Sequence, residues 1–237
     1  MNMAIDEAVL SHVSGGTSPP TFRLYSWKPP AVSIGYFQGM RDEVDTERCR
    51  ALGIDFVRRI TGGGAVFHDS ELTYSFIISA DDMISRDIME SYRQICGGIM
   101  AGLKLVGIEP SFVPLNDIIA GGRKISGNAQ TRRKHCVLQH GTILMDVNVE
   151  QMFSILKVPD EKIRDKLITS VKDRVTSVNA VLGRKISIEE LDEAIAKGFS
   201  ESLGVILTEG ELSQAELLMA KELAASKYGT AEWIFKR

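Results

Sequence analysis

Two stretches concentrate residues able to do chemistry. Arg58-Arg59-Ile60-Thr61-Gly62-Gly63-Gly64-Ala65-Val66-Phe67-His68-Asp69 sets two arginines before three consecutive glycines. Glycines let main-chain amides turn toward one point with no side chain in the way, which is how a loop cradles an anion. Arginine's planar fork suits phosphate or carboxylate oxygens. The stretch is neither a dinucleotide fingerprint nor a Walker loop, because GxGxxG and GK[ST] are both absent. On the glycines alone, a flexible hairpin with two solvated arginines fits as well. The second stretch, Gly122-Arg123-Lys124-Ile125-Ser126-Gly127-Asn128-Ala129-Gln130, puts Lys124 on a strand among small residues, where a ligand can lie close to the backbone. Its ammonium could there meet a carboxylate and a phosphate together. A solvent-facing lysine on an edge strand is the plainer alternative. His140 lies on a strand before Gly141, and His68 stands beside Asp69; each has a structural, hydrogen-bonded reading as well as a functional one. Arg132-Arg133-Lys134 is a short basic run, solvated or a guide for an acidic partner.

The elements that must position these residues follow from periodicity and punctuation. Asn2 to Val13 reads as an amphipathic helix with Asp6 and Glu7 in its first turn. Strands are expected at Thr21–Trp27, Ala31–Gly35 and Phe56–Ile60, with a helix capped by Asp45 and closed at Gly53 before the last of them. Leu72, Tyr74, Phe76 and Ile78 alternate along one face of a strand, and Asp87–Val106 carries apolar residues at helical spacing. Asp117–Ala120 and Arg123–Ser126 form a hairpin about Gly121-Gly122, and Cys136–Asp146 is a further strand. Ser187-x-x-Glu190 and Ser213-x-x-Glu216 read as capping boxes of helices in the C-terminal part. Helices and strands are mixed without strict βαβ alternation. The expectation is an α/β (α+β) fold with a mixed β-sheet flanked by helices.

Composition narrows the class. The 237 residues carry a net charge of −3, so bulk electrostatic binding of nucleic acid is not indicated. Cys49, Cys96 and Cys136 are odd in number and widely spaced, with no Cys-x-x-Cys pair, which argues against a disulfide framework or structural zinc. No apolar run approaches bilayer length and no leader pattern opens the chain, so a cytoplasmic protein without membrane or nucleic-acid partners is expected.

Together, RRITGGGAVFHD, NDIIAGGRKISGNAQ and LQHGTIL, in that order, resemble the lipoate–protein ligase family, relatives of biotin ligases and of octanoyl or lipoyl transferases. IGYFQ, LKVPDEKIRDK and the final AEWIFKR look like family segments too, so the resemblance covers nearly the whole chain. It implies the biotin/lipoate ligase catalytic fold over residues 1–237 as a single catalytic domain, with a helical C-terminal segment from about 179. It implies an ATP-dependent, adenylating enzyme. Lipoate, ATP and Mg2+ would give lipoyl-adenylate, and the lipoyl group would pass to a lysine of a lipoyl domain of a 2-oxoacid dehydrogenase or of glycine cleavage H protein. By the same resemblance Lys124 is catalytic. ATP and lipoyl-adenylate would lie against Arg59, Gly62, Gly63, Gly64, Ala65, Val66, Phe67, His68, Asn116, Asp117, Lys124 and His140, with Asp117 near the nucleotide-bound Mg2+. Val66, Phe67, Tyr36 and Ile77 are candidates to line the acyl tunnel.

Two departures accompany the resemblance. Relatives usually have a strand before the position of Asn2, and the larger ligases carry an additional C-terminal domain that is not expected here. An accessory small ligase subunit is therefore a further expected partner. The alternative is an octanoyl or lipoyl carrier-protein acyltransferase working through a cysteine thioester. ELTYS and GNAQTRR resemble that branch, but its nucleophile sits in a longer loop where this chain has only Pro110-Ser111-Phe112-Val113-Pro114-Leu115. A non-catalytic subunit that binds lipoyl domains is a third reading, which the presence of Arg59 and Lys124 disfavours.

Overall fold

The computed structural model describes residues 1–158 and 161–236. Pro159 and Asp160 of the family-like LKVPDEKIRDK stretch, and Arg237, lie outside the described residues. In chain order the elements are α1 (Asn2–Ser14), β1 (Thr21–Tyr25), β2 (Ala31–Ile34), α2 (Met40–Glu43), α3 (Thr46–Ala51), β3 (Asp55–Arg58), β4 (Val66–His68), β5 (Glu71–Ser79), α4 (Ile88–Leu105), β6 (Pro110–Val113), β7 (Asp117–Ala120), β8 (Arg123–Arg133) and β9 (Cys136–Leu144). Helices follow: α5 (Val149–Ile155), α6 (Glu161–Arg174), α7 (Val178–Leu182), α8 (Ile188–Leu203), α9 (Gln214–Leu223) and, after a π-helical turn, α10 (Ala231–Ile234).

The strands form two sheets. The larger is ordered β1-β5-β9-β8-β7-β6 and is antiparallel throughout. The smaller is β3-β2-β4, with β2 parallel to β3 and antiparallel to β4, so strand mixing is confined to it. Pro110–Val113, which reads as loop, pairs with β7 and becomes the edge strand of the larger sheet.

Period-two alternation divides the central strand between two environments. Leu72, Tyr74, Phe76 and Ile78 enter one core with Ile95, Ile99 and Leu103 of α4 and Leu191, Ile195 and Phe199 of α8. The C-terminal helices therefore share the core of the sheet. On the opposite face Ile77, with Cys136 and Leu138 of β9, packs beneath Met3, Val9 and Leu10 of α1. Asp45 caps α3, as its position predicts, and Asp87 caps α4. Ser213 and Glu216 make a complete capping box, but at α8 only Ser187 caps. The Glu190 carboxylate is held instead by Arg184 at 2.7 Å.

Arg58 is not a ligand-facing arginine. It is wholly buried, and its guanidinium donates to six main-chain carbonyls. Gly35, Tyr36 and Gln38 lie on one side at 3.2, 2.8 and 2.6 Å. Trp233 and Ile234 lie on the other at 2.9 and 3.1 Å, with Lys236 beyond them. The Trp233 indole donates back to the Arg58 carbonyl at 2.9 Å. This one side chain joins the turn after β2 to the end of the chain. Arg58→Met should therefore leave several carbonyls without a donor and cost about 3 kcal/mol or more. Urea unfolding measures it; a loss below about 0.5 kcal/mol, the usual scale of a surface change, would contradict the assignment.

Candidate functional site

A cavity of about 390 Å³ lies between the two sheets, within the usual range for small-molecule sites. Arg59, Gly63, Gly64, Ala65, Val66, Phe67 and His68 line it from the glycine-rich side, and Asn116, Lys124 and His140 from the larger sheet. Ten of the twelve sequence-derived residues are thus brought together; Gly62 and Asp117 are not among the lining residues, though Gly62 is tied to Arg59 and Asp117 to Lys124. Its wall is mainly apolar: Trp27, Val66, Phe67, Met152, Val171 and Val175 all contribute. Tyr36 and Ile77 do not line it. Ile77 faces α1, and the Tyr36 amide donates to the Thr61 carbonyl while its ring lies against Phe37 and Trp233.

Arg59 shapes the loop from within. It is buried, and its guanidinium donates to the Ser33 carbonyl and hydroxyl, both at 3.1 Å, and to the carbonyls of Gly62 and Gly64 at 2.9 and 2.8 Å. Burial draws its pKa down to about 10, so it remains charged at neutral pH. Gly35 and Gly63 then meet backbone to backbone, since a Cβ on Gly35 would fall 2.0 Å from the Gly63 carbonyl oxygen. The loop is a fixed wall and not a flexible hairpin.

Lys124 reaches the cavity through a local irregularity. Ile118 pairs with Ser126 but Ile119 pairs with Lys124, leaving Ile125 as the extra residue of a β-bulge. Bulges re-aim side chains in this way. The Lys124 ammonium rests 2.6 Å from the Asp117 carboxylate, and its chain lies across Gly127, where a Cβ would meet Lys124 Cε at 2.8 Å. The small residue at 127 makes room for the lysine itself. Asn128 and Asn116 hold each other through reciprocal side-chain to main-chain bonds, and Tyr74 donates to the Asn128 amide oxygen at 2.6 Å.

Both histidines are held in buried networks. His68 Nε2 lies 2.8 Å from the Ser33 hydroxyl, its Nδ1 bonds Glu71, and its ring stacks on Trp27 at 4.2 Å. His140 bridges Thr61 at 2.7 Å and Asp6 at 3.1 Å. Sequence reading missed Ser33 and Glu71, and it placed Asp6 only as a first-turn acid of an amphipathic helix. Asp6 is instead buried against Arg23 and His140. The available signal was an acid inside the apolar stripe Met3, Leu10 and Val13. Burial raises the Asp6 carboxyl, but the His140 hydrogen bond and the charge of Arg23 outweigh it and hold its pKa below the ordinary value.

The cysteines lie elsewhere. Cys49 packs beneath the smaller sheet, Cys96 against the core of the larger and Cys136 under α1; none lines the cavity. Burial pushes the Cys49 and Cys96 thiols up to about 11 and about 12, and raises Cys136 as well. All three are poor thiolates at neutral pH.

The model of the lipoyl protein ligase A/B catalytic domain matches residues 1–200. The chain belongs to this family. Along its whole length it is 40% identical over 260 aligned positions to octanoyltransferase LipM of Geobacillus kaustophilus, covering 94% of that protein. It is 35% identical over 260 positions to octanoyltransferase LipM of Bacillus subtilis, with the same coverage. Among solved structures, a bipartite lipoate protein ligase from Thermoplasma acidophilum matches 99% of this chain and 90% of its own, with a TM-score of 0.89 and 35% identity. A lipoate-protein ligase A bound with ATP matches 98% and 91%, with a TM-score of 0.83 and 33% identity. The expected family and the expected α/β architecture with helix-covered sheets are those observed.

The same relatives correct the expected activity. Proteins matched end to end are octanoyltransferases, which overturns the ATP-dependent lipoate ligase and, with it, ATP and Mg2+ as cofactors. The chemical reason is that a transferase receives its acyl carbon already joined to a leaving group, so no adenylate has to be made. Asp117, expected near Mg2+, has its carboxylate paired with Lys124. Among the described residues no helix is long and apolar enough to cross a membrane.

The His140 network generates a pH test. Burial is the largest influence on the imidazole and lowers its pKa below 6.5, although Asp6 pulls it upward. Below about 6.5 the unfolded chain takes up a proton that the folded chain refuses, so this contribution to stability is complete above that value and is lost as pH falls toward the folded pKa. The urea midpoint of the wild type should fall between pH 7.5 and 5.5, and His140→Gln should fall less. Equal losses in the two proteins would contradict the assignment.

Proposed function

We propose that this protein transfers an octanoyl or similar medium-chain acyl group from a carrier-bound thioester to a lysine of a lipoyl domain. Acceptors of this type are the lipoyl domains of 2-oxoacid dehydrogenases and the glycine cleavage H protein. The observation that carries the reading is the end-to-end relation to octanoyltransferases at 40% identity. The cavity supports it, because apolar lining that includes Val66, Phe67 and Met152 suits an alkyl chain while Lys124 supplies positive charge from the facing larger sheet.

In this reading Lys124 is the catalytic residue. Its ammonium hydrogen-bonds the thioester carbonyl oxygen and stabilises the charge that develops there during attack. Asp117 and the bulge at Ile125 position it. Arg59, the glycine-rich loop and the two histidine networks keep the opposite wall rigid. The nucleophile is the acceptor's own lysine, because the three thiols are buried away from the cavity. Its neutral amine adds to the acyl carbon, the carbon–sulfur bond breaks, and the amine's proton is released as the thiolate takes one up. An amide and a free carrier thiol result.

Two variants test the assignment with an octanoyl thioester donor. Lys124→Ala should lower kcat by roughly two to three orders of magnitude, the usual loss for one oxyanion-stabilising donor. A Cys49→Ser, Cys96→Ser, Cys136→Ser triple variant that folds should keep transfer activity, and mass spectrometry of acid-quenched wild type should find no acyl adduct. Near-normal turnover without Lys124 would sink its catalytic role. A thioester on Cys136, with activity lost on changing that residue alone, would replace direct attack by an acyl-enzyme mechanism.

A further inference from the structure

Arg58 does more than hold two segments together; it determines what they show to solvent. The turn after β2 and the end of the chain are joined through its six carbonyl contacts. Out of this rigid frame projects Phe37, 86% exposed, with the Tyr36 ring edge-on beside it at 5.0 Å. Two cations lie over the Tyr36 ring and a third over Phe235 at the end of the chain. The Arg133 guanidinium lies 5.3 Å and the Lys236 ammonium 5.4 Å from the Tyr36 ring, and Arg41 sits 4.8 Å over Phe235. All three are exposed, and among the described residues none of them is in an ion pair. Lys236 and Arg133 pull the Tyr36 hydroxyl below its ordinary pKa, consistent with a positive field over the patch. The chain as a whole carries −3, so the cluster stands out against an acidic protein.

A fixed, solvent-facing aromatic ring rimmed by arginine and lysine has the composition of an interface centre. Gly35, which begins this turn, abuts Gly63 of the cavity wall, so the patch is the outer side of the wall that faces the ligand space. Arg133 and Lys124 are nine residues apart on β8, roughly 30 Å at the rise of a strand. A lysine side chain on a docked acceptor falls far short of that span, whereas an acyl group on a long flexible thiol arm reaches several times farther into the cavity.

We propose that the Phe37, Arg41, Arg133 and Lys236 patch docks the acidic carrier domain that delivers the acyl thioester. The partner supplies carboxylates to the rim and an apolar depression to Phe37. This rests on the acyltransfer reading. The tests are Phe37→Ala and a combined Arg41→Glu, Arg133→Glu, Lys236→Glu variant, with octanoyl donors presented both on an acidic acyl carrier protein and on a small thiol. Each variant should raise KM for the protein donor about tenfold or more, the scale of a central interface residue, and leave turnover of the small thioester unchanged. Raising the salt concentration should weaken the wild type toward the charge-reversed variant. Protein-donor KM values within twofold of wild type would overturn the proposal, as would a change in KM for the acceptor domain alone. If the wild type transfers from neither donor, the acyltransfer reading fails. Titration calorimetry of the carrier protein against wild type and variants then decides the docking surface by itself: patch-dependent binding upholds it, and binding indifferent to the variants or absent overturns it.

Discussion

Two guanidinium groups at consecutive positions, Arg58 and Arg59, fix the relation between the smaller sheet and everything around it. Both are buried, and among the described residues neither has a carboxylate partner, an expensive arrangement that holds only where polar oxygens replace the lost water. Carbonyls do so here. Arg58 gathers those of the turn after β2 and of the chain end, and Arg59 gathers those of Ser33, Gly62 and Gly64. Because the two residues are neighbours, the loop that walls the cavity and the surface behind it cannot move independently.

Against that wall the larger sheet presents a lysine from β8, a strand paired on both sides. A single extra residue in β8 re-aims Lys124, Asp117 holds its ammonium, and Gly127 leaves the space its chain needs. The interior that results is mainly apolar in its lining, with the Lys124 ammonium presented to it, which suits an uncharged alkyl chain ending in a carbonyl. Family likeness to lipoate ligases and descent beside octanoyltransferases are compatible in such a site. Both chemistries polarise an acyl carbonyl, and they differ in how the acyl group arrives.

Much of this was legible in the sequence. The alternation Leu72, Tyr74, Phe76, Ile78 gives the buried central strand, and the two motifs converge on one cavity as their resemblance implies. What could not be read depends on direction. Nothing in Arg58-Arg59 says that both guanidinium groups turn inward to carbonyls, because the acceptors lie as far away in sequence as Trp233. Asp6 looked like a first-turn charge because its partners Arg23 and His140 are contributed by β1 and β9. The bulge at Ile125 leaves no local signature, since it is a mismatch of register between two strands. The choice between ligase and transferase is not legible there for another reason: the shared fold and motifs serve both, and the missing cysteine in one loop bears only on which nucleophile attacks.

The central claim is that the acyl group arrives already activated as a thioester. The direct measurement is mass spectrometry of an unmodified lipoyl domain incubated with this protein, octanoyl carrier thioester and no nucleotide, beside a reaction given octanoate, ATP and Mg2+. The account predicts a single octanoyl-lysine in the first reaction and unmodified domain in the second. Modification only in the second would contradict it.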